Sequence, residues 1–150
     1  KINSKLIMVG DGPDKKKAKE FLRKHNLKNK VIFLGETNQV DEILCSSDLF
    51  LLPSEKESFG LAALEAMALK VPVISSNAGG LKDLNINGNS GYTSDVGDID
   101  SMAQNAIKIL TDSSLEKKYR TQAFENAKKY DIKKVIPLYE KIYNEALNIS

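Results

Sequence analysis

The sequence predicts an α/β fold in which a Rossmann-like parallel sheet carries helices on both faces. Three observations predict it. Short apolar runs recur that are rich in β-branched residues. Helical patterns stand between them, joined by short links. Turn residues cluster where the runs end. Strand, helix, strand, helix with short links indicates right-handed crossovers in a parallel sheet.

The strand candidates are KLIMV (5–9), VIFL (31–34), LFLLP (49–53) and PVIS (72–75). Each is nearly continuous in apolar character, which is how strands covered on both faces read. The first helix is expected over 13–25, with Pro13 in its first turn and Ala18, Phe21, Leu22 and His25 on one stripe. A second, over 39–45, aligns Val40, Ile43 and Leu44. A third covers 59–69. After Ser76 the turn-rich stretches NAGG and NINGNSG interrupt the pattern, and GYTSDVGD has room for one more strand. Three helices, over 99–111, 114–129 and 133–148, finish the chain. The last carries Ile136, Tyr139, Ile142, Tyr143 and Leu147 on one stripe. No repeat, low-complexity tract or linker is present.

A length of 150 residues suits one domain. Hydrophobic and charged contents of 41% and 28% are those of a globular protein. A net charge of +2 gives no argument for nucleic acid or a membrane as partner. No run approaches the length of a membrane span, and no signal peptide is expected, although the sequence begins at Lys1 and not at Met. The one cysteine, Cys45, cannot form an internal disulfide, which fits a reducing cytoplasm. Its apolar neighbours predict a small buried thiol. The lone His25 ends an amphipathic pattern and reads as structural.

Ligands of open parallel sheets sit beyond the carboxyl ends of the strands. Three such ends carry turn chemistry here: GDGP after the first strand, GET after the second and PSEKESFG after the third. In the stretch ESFGLAALEAMALK, Glu65 is the one charged side chain between Gly60 and Leu69. A buried carboxylate is costly unless paired. Glu65 therefore either meets a Lys or Arg of the same domain or lines a cleft. Ser54 and Glu57 have the spacing of a capping box. The N–H groups of Ser58, Phe59, Gly60 and Leu61 would point out of the same turn, which could hold a diphosphate. GDGP lacks the third glycine of a dinucleotide fingerprint and reads as a strand-to-helix turn. DID (98–100) precedes a helix, where acids are usually caps and seldom metal ligands.

Taken together, these residues resemble the donor-binding, C-terminal half of a retaining GT-B glycosyltransferase, of the large family that includes sucrose and bacterial glycolipid synthases. VGDGP, FLG, SDLFLLPSEKESFGLAALEAMALKVPVISSNAGG and GNSGYTSDVGD stand in the family's order. Most specific are Glu57 and Glu65, separated by seven residues around a Phe-Gly turn. The resemblance implies that Glu57 holds hydroxyls of the donor sugar, the catalytic role here, and that Glu65 accepts hydrogen bonds from the nucleotide ribose. It implies that the backbone at Ser58, Phe59, Gly60 and Leu61 meets the sugar and diphosphate, and that residues 35–39 lie beside the base. Transfer would proceed with retention, without metal or other cofactor. The wording of SEKESFGL and GYTSDVGD points within the family to bacillithiol biosynthesis. That implies a UDP-sugar donor, UDP-N-acetylglucosamine above all, and a small acceptor such as L-malate.

The resemblance also implies parts outside these residues. The family's diphosphate-gripping Arg and Lys, the N-terminal acceptor domain and the first, central strand of the sheet would precede Lys1. The chain is then expected to be a partial donor domain, inactive alone, with an interrupted sheet. Two residues depart from the family pattern: Lys70 replaces a usual Gly and demands a strained backbone or a shifted helix end, and Asp83 replaces a Glu. The alternative is a non-catalytic flavodoxin-like binding or signalling module. A receiver of that kind wants an acceptor Asp after the third strand, where Pro53 and Ser54 stand. A GT-B epimerase would want further acids and histidines at the cleft.

Overall fold

The computed structural model describes residues 2–147. The chain falls into two compact units, Lys1–Ile43 and Leu44–Ser150. The resemblance implied an interrupted sheet, and the parallel strands do form two sheets.

The first unit holds strand β1 (Leu6–Val9), helix α1 (Lys15–Lys24), a 3-10 turn (Lys28–Lys30) and strand β2 (Val31–Gly35). The strands pair in parallel, Leu6 opposite Val31 and Met8 opposite Phe33, with a register shift before Val9. α1 begins two residues later than its pattern suggested. Asp11 accepts from the Gly12 amide and the Lys15 ammonium, and this turn keeps Pro13 outside the helix. The expectation of cover on both faces fails for β1, whose four residues are all exposed (Leu6 42%, Val9 43%). A two-stranded sheet with one long helix in its unit can be covered on one face at most. β2 shows that asymmetry: Val31 and Phe33 are half-buried, while Ile32 and Leu34 are exposed.

Helix α2 (Val40–Cys45) spans the junction of the units. The buried residue there is Leu44, and Cys45 is exposed. The expectation of a buried thiol is thus wrong, because an apolar neighbourhood in sequence does not settle which helix face turns inward.

The second unit holds strand β3 (Phe50–Leu52), helix α3 (Leu61–Ala68), strand β4 (Val73–Ser76), a short helix α4 (Leu81–Leu84) and strand β5 (Gly91–Ser94). Helices α5 (Ile99–Thr111), α6 (Ser113–Ala127) and α7 (Ile132–Leu147) follow, with a 3-10 turn (Lys128–Tyr130) before α7. The last residue expected in α7, 148, lies outside the described residues. β4 is central and parallel to both neighbours, with Phe50 opposite Val73 and Val73 opposite Gly91. All four of its residues are buried, as a two-sided apolar run requires. Ile74, Ile109 and Tyr119 form the heart of the core, with Leu49, Tyr92, Met102, Ala106 and Leu115 against them. α3 buries Ala63, Ala66 and Met67 where it meets α6 and β4.

Asn85 is the best-connected polar side chain of this core. The Asn85 amide donates to the Val73 and Tyr92 carbonyls and to the Ser75 hydroxyl, and its oxygen accepts from Ser90. A buried group with so many partners fixes the loop it sits in. The α4 segment therefore has a defined place at the carboxyl end of β4.

Candidate functional site

The chain leaves β3 at Leu52 and reaches α3 through residues 53–60, and every anchor of this turn lies in the second unit. The Ser76 hydroxyl, at the end of β4, donates to the Ser54 carbonyl. Residues 79 and 80 lie against the backbone of Glu57, Ser58 and Phe59, so closely that glycine alone fits there. Phe59 stacks edge-on against Tyr130, with ring centroids 5.4 Å apart. The Tyr130 hydroxyl in turn donates to the Asp83 carbonyl at 3.3 Å.

The capping box read from Ser54 and Glu57 does not form. α3 starts at Leu61, and its N-cap is Gly60 at φ 96° with no side-chain cap bond. Ser54 is thus too far from the helix start to cap it, and its carbonyl is bonded to β4 instead. The Gly60 carbonyl still accepts from Leu64 at 3.0 Å. The amides of Ser58, Phe59, Gly60 and Leu61 donate to no group among the described residues. Gly60 and Leu61 are the cap and first residue of α3, whose start leaves such amides unpaired at the positive end of the helix dipole; Ser58 and Phe59 lie in the turn before it.

Glu57 is half-buried, and its carboxylate makes no ion pair or hydrogen bond among the described residues. Glu65 stands on the open face of α3. It is exposed, as are Leu61 (66%), Ala62 and Ala68. The helix therefore has an open side, but that side is apolar around one carboxylate. The intradomain salt bridge does not occur among the described residues: Glu65 has no cation partner. The site residues named from sequence thus share one turn and the first turns of one helix.

The other motifs resolve separately. In the first unit, GDGP is a turn in which the Lys15 ammonium and the Gly12 amide hold the Asp11 carboxyl below its usual range. Residues 35–39 run on from the end of β2, whose last residue, Gly35, has φ 74° and a carbonyl that accepts from the Gly10 amide at 2.7 Å. His25 caps α1 and stacks on Phe21. In the second unit, Asp98 is the N-cap of α5, accepting from the Ser101 amide at 3.0 Å, as DID suggested. Lys70 takes the left-handed conformation at φ 61°, so the strained backbone that its departure from Gly demanded is present. Asp83 sits exposed in α4. Sequence reasoning missed Ser76, Gly79, Gly80 and Tyr130 as supports of the turn. NAGG carried the available signal, but adjacent glycines read first as a turn.

The sequence profile of the family described as glycosyl transferases group 1 matches residues 1–130. The chain belongs to this family. It is 39% identical over 147 residues to N-acetyl-alpha-D-glucosaminyl L-malate synthase of Bacillus anthracis, covering 97% of this chain and 39% of that protein. It is 34% identical over 142 residues to 2-deoxystreptamine N-acetyl-D-glucosaminyltransferase of Niallia circulans, covering 93% of this chain and 36% of the relative. Among solved structures, a TarM variant from S. aureus, in complex with Fondaparinux, alpha-GlcNAc-glycerol and UDP, superposes with a TM-score of 0.87. Identity is 25%, covering 93% of this chain and 29% of that one. The fold is that of a Rossmann-like half of a GT-B glycosyltransferase. The chain thus spans well under half the length of these relatives. No helix among the described residues is long and apolar enough to cross a membrane.

Proposed function

We propose that this chain is the donor-binding part of a retaining glycosyltransferase that moves a sugar from a UDP-sugar, UDP-N-acetylglucosamine in first place, to a small acceptor such as L-malate. The observation that carries the reading is the turn that leads into α3: four successive amides, and two carboxylates beside them, that have no partner among the described residues. The amides suit a diphosphate. Unpaired carboxylates suit hydroxyl groups, which donate to them without adding charge. The apolar open face around Glu65 suits a flat, partly apolar nucleoside.

In this reading Glu65 takes the ribose diol, Glu57 takes hydroxyls of the donor sugar, and the turn amides meet the diphosphate. The bond from the sugar's anomeric carbon to the diphosphate oxygen breaks, and a bond to the acceptor hydroxyl oxygen forms on the same face. The acceptor's proton leaves with the departing diphosphate. Positioning and charge stabilisation do most of the work, without cofactor. The acceptor domain and the cations that grip the diphosphate belong to the rest of the polypeptide, acting in the cytoplasm. The similarity to the L-malate synthase and to a second N-acetylglucosaminyltransferase supports this choice of donor.

The test is a titration of the ¹⁵N-labelled chain with UDP-N-acetylglucosamine, UDP and GDP, read by amide shifts into the millimolar range. Saturable shifts at Ser58, Phe59, Gly60, Leu61 and Glu65 with the uridine nucleotides, weaker with GDP, are expected. Absence of saturable shifts at these residues with all three overturns the reading. So does an equal response to all three confined to other surfaces, which is what the flavodoxin-like module predicts.

A further inference from the structure

We infer that Gly79 and Gly80 are positioning residues, which together with Ser76 set the height and tilt of the Glu57–Phe59 turn against the donor's sugar and diphosphate. This rests on the donor-site reading above and extends it to a second loop. The two loops meet backbone to backbone, with no side chain between them. A Cβ added at Gly79 would overlap the Glu57 carbonyl oxygen and lie 2.9 Å from the Glu57 carbonyl carbon. One added at Gly80 would lie 2.5 Å from the Ser58 carbonyl oxygen and 3.0 Å from the Phe59 Cα. Real Cβ atoms do not come this close to backbone, and a carbonyl cannot rotate away as a flexible side chain can. Any side chain at position 79 therefore drives the two loops apart by about the difference from a normal contact, on the order of 1 Å.

The platform beneath the turn is itself fixed. The Asn77 amide donates to the Ser94 carbonyl at 2.8 Å, which ties the loop to the end of β5. Its side chain donates to the Asp95 carboxylate. Beyond the pair, Leu81 is fully buried and packs on Gly60, where a Cβ would meet its Cδ2 at 2.5 Å. Ser76 closes the arrangement from β4 through its bond to the Ser54 carbonyl. The turn is thus held from three sides, by Ser76, by the Gly79–Gly80 backbone and by Leu81. A misplacement of about 1 Å in a positioned group can cost about a hundredfold in rate. Both Glu57 and the amides of Ser58 and Phe59 move with the turn, while Glu65, four residues into α3, does not.

The experiment compares Gly79→Ala with Gly88→Ala. Both residues have positive φ, 48° and 75°, so both alanines carry backbone strain, but Gly88 has open space where its Cβ would go. Strain is shared; close approach belongs to Gly79 alone. Amide shifts of the nucleotide-free chain and titrations with UDP-N-acetylglucosamine and with uridine are recorded for each. Gly79→Ala is expected to shift the Glu57, Ser58 and Phe59 amides and to weaken UDP-N-acetylglucosamine at least tenfold relative to Gly88→Ala, with uridine binding unchanged. Ser76→Ala, which loosens the turn without adding bulk, keeps the test open if Gly79→Ala does not fold; a three- to tenfold loss for the sugar nucleotide, again sparing uridine, is expected. If the unsubstituted chain binds UDP-N-acetylglucosamine and neither Gly79→Ala nor Ser76→Ala differs from Gly88→Ala beyond twofold, the positioning role is wrong and the donor site stands. If the unsubstituted chain does not bind it, both are wrong.

Discussion

At the scale of the residue, Glu65 and Lys70 make opposite cases. Sequence singled out Glu65 as a charge without a visible reason, and the structure gives it an open, apolar surround and no cation among the described residues. That arrangement separates binding from folding. Glu65→Gln is expected to leave the melting temperature within about 2 °C, since an exposed, unpaired carboxylate contributes less than about 0.5 kcal/mol. It should weaken UDP roughly ten- to a hundredfold, because a hydrogen bond to a charged acceptor contributes about 1.5–3 kcal/mol. A large drop in melting temperature with unchanged UDP affinity would show Glu65 to be structural. Lys70 runs the other way. Its φ of 61° is a conformation that costs a non-glycine residue about 1–2 kcal/mol. Its ammonium lies 5.1 Å from the Phe124 ring centroid, a contact that returns about 0.5–1 kcal/mol. The backbone strain outweighs that contact, so Lys70→Gly should raise the melting temperature by roughly 1–4 °C in a differential scan. The sequence showed this position as a departure from a glycine, and a departure of that kind points directly to a backbone angle. Cys45 shows the limit: a lone residue in an apolar run says nothing about its own exposure.

At the scale of the element, periodicity identified what was long enough to repeat. The four apolar runs and the three closing helices stand within a residue or two of their expected bounds. α4, four residues long, has no period to show and was missed. Caps were legible where the acid immediately precedes the helix, as at Asp98, and misread at Ser54, where an irregular turn separates the candidate cap from Leu61. The difference is physical, since capping needs the side chain within one turn of the orphan amides. It also gives a test of DID. Asn serves as well as Asp at an N-cap, so Asp98→Asn should be nearly neutral in stability, whereas Asp98→Ala should cost about 1 kcal/mol by denaturant titration. Neither change, nor EDTA, should alter UDP binding. A divalent-ion requirement lost in Asp98→Asn would restore the metal reading of this motif.

At the scale of the whole molecule, burial is distributed unevenly, and a local pattern could not foretell it. KLIMV and PVIS read alike as apolar runs, yet β1 is exposed along its length and β4 is buried along its length. What differs is the company each strand finds: β4 has a strand on either side and helices against it, while β1 has one partner strand. No residue described in Lys1–Ile43 is buried, whereas Leu44–Ser150 contains the Ile74, Ile109 and Tyr119 core. Local opening is governed by the apolar contacts that must be broken, so the two units should open at different free energies. Native-state hydrogen exchange of the chain tests this. The ladder amides of β4 are expected to exchange only on global unfolding. Those of β1 and β2 should exchange at least a hundredfold faster, a gap of about 2.8 kcal/mol or more at about 1.4 kcal/mol per tenfold. Equal protection in the two sheets would mean that the apolar run of β1 is covered after all. If a further strand pairs with the open edge of β1, the same measurement should show β1 slowed toward β4, because a paired and covered strand opens only with the core.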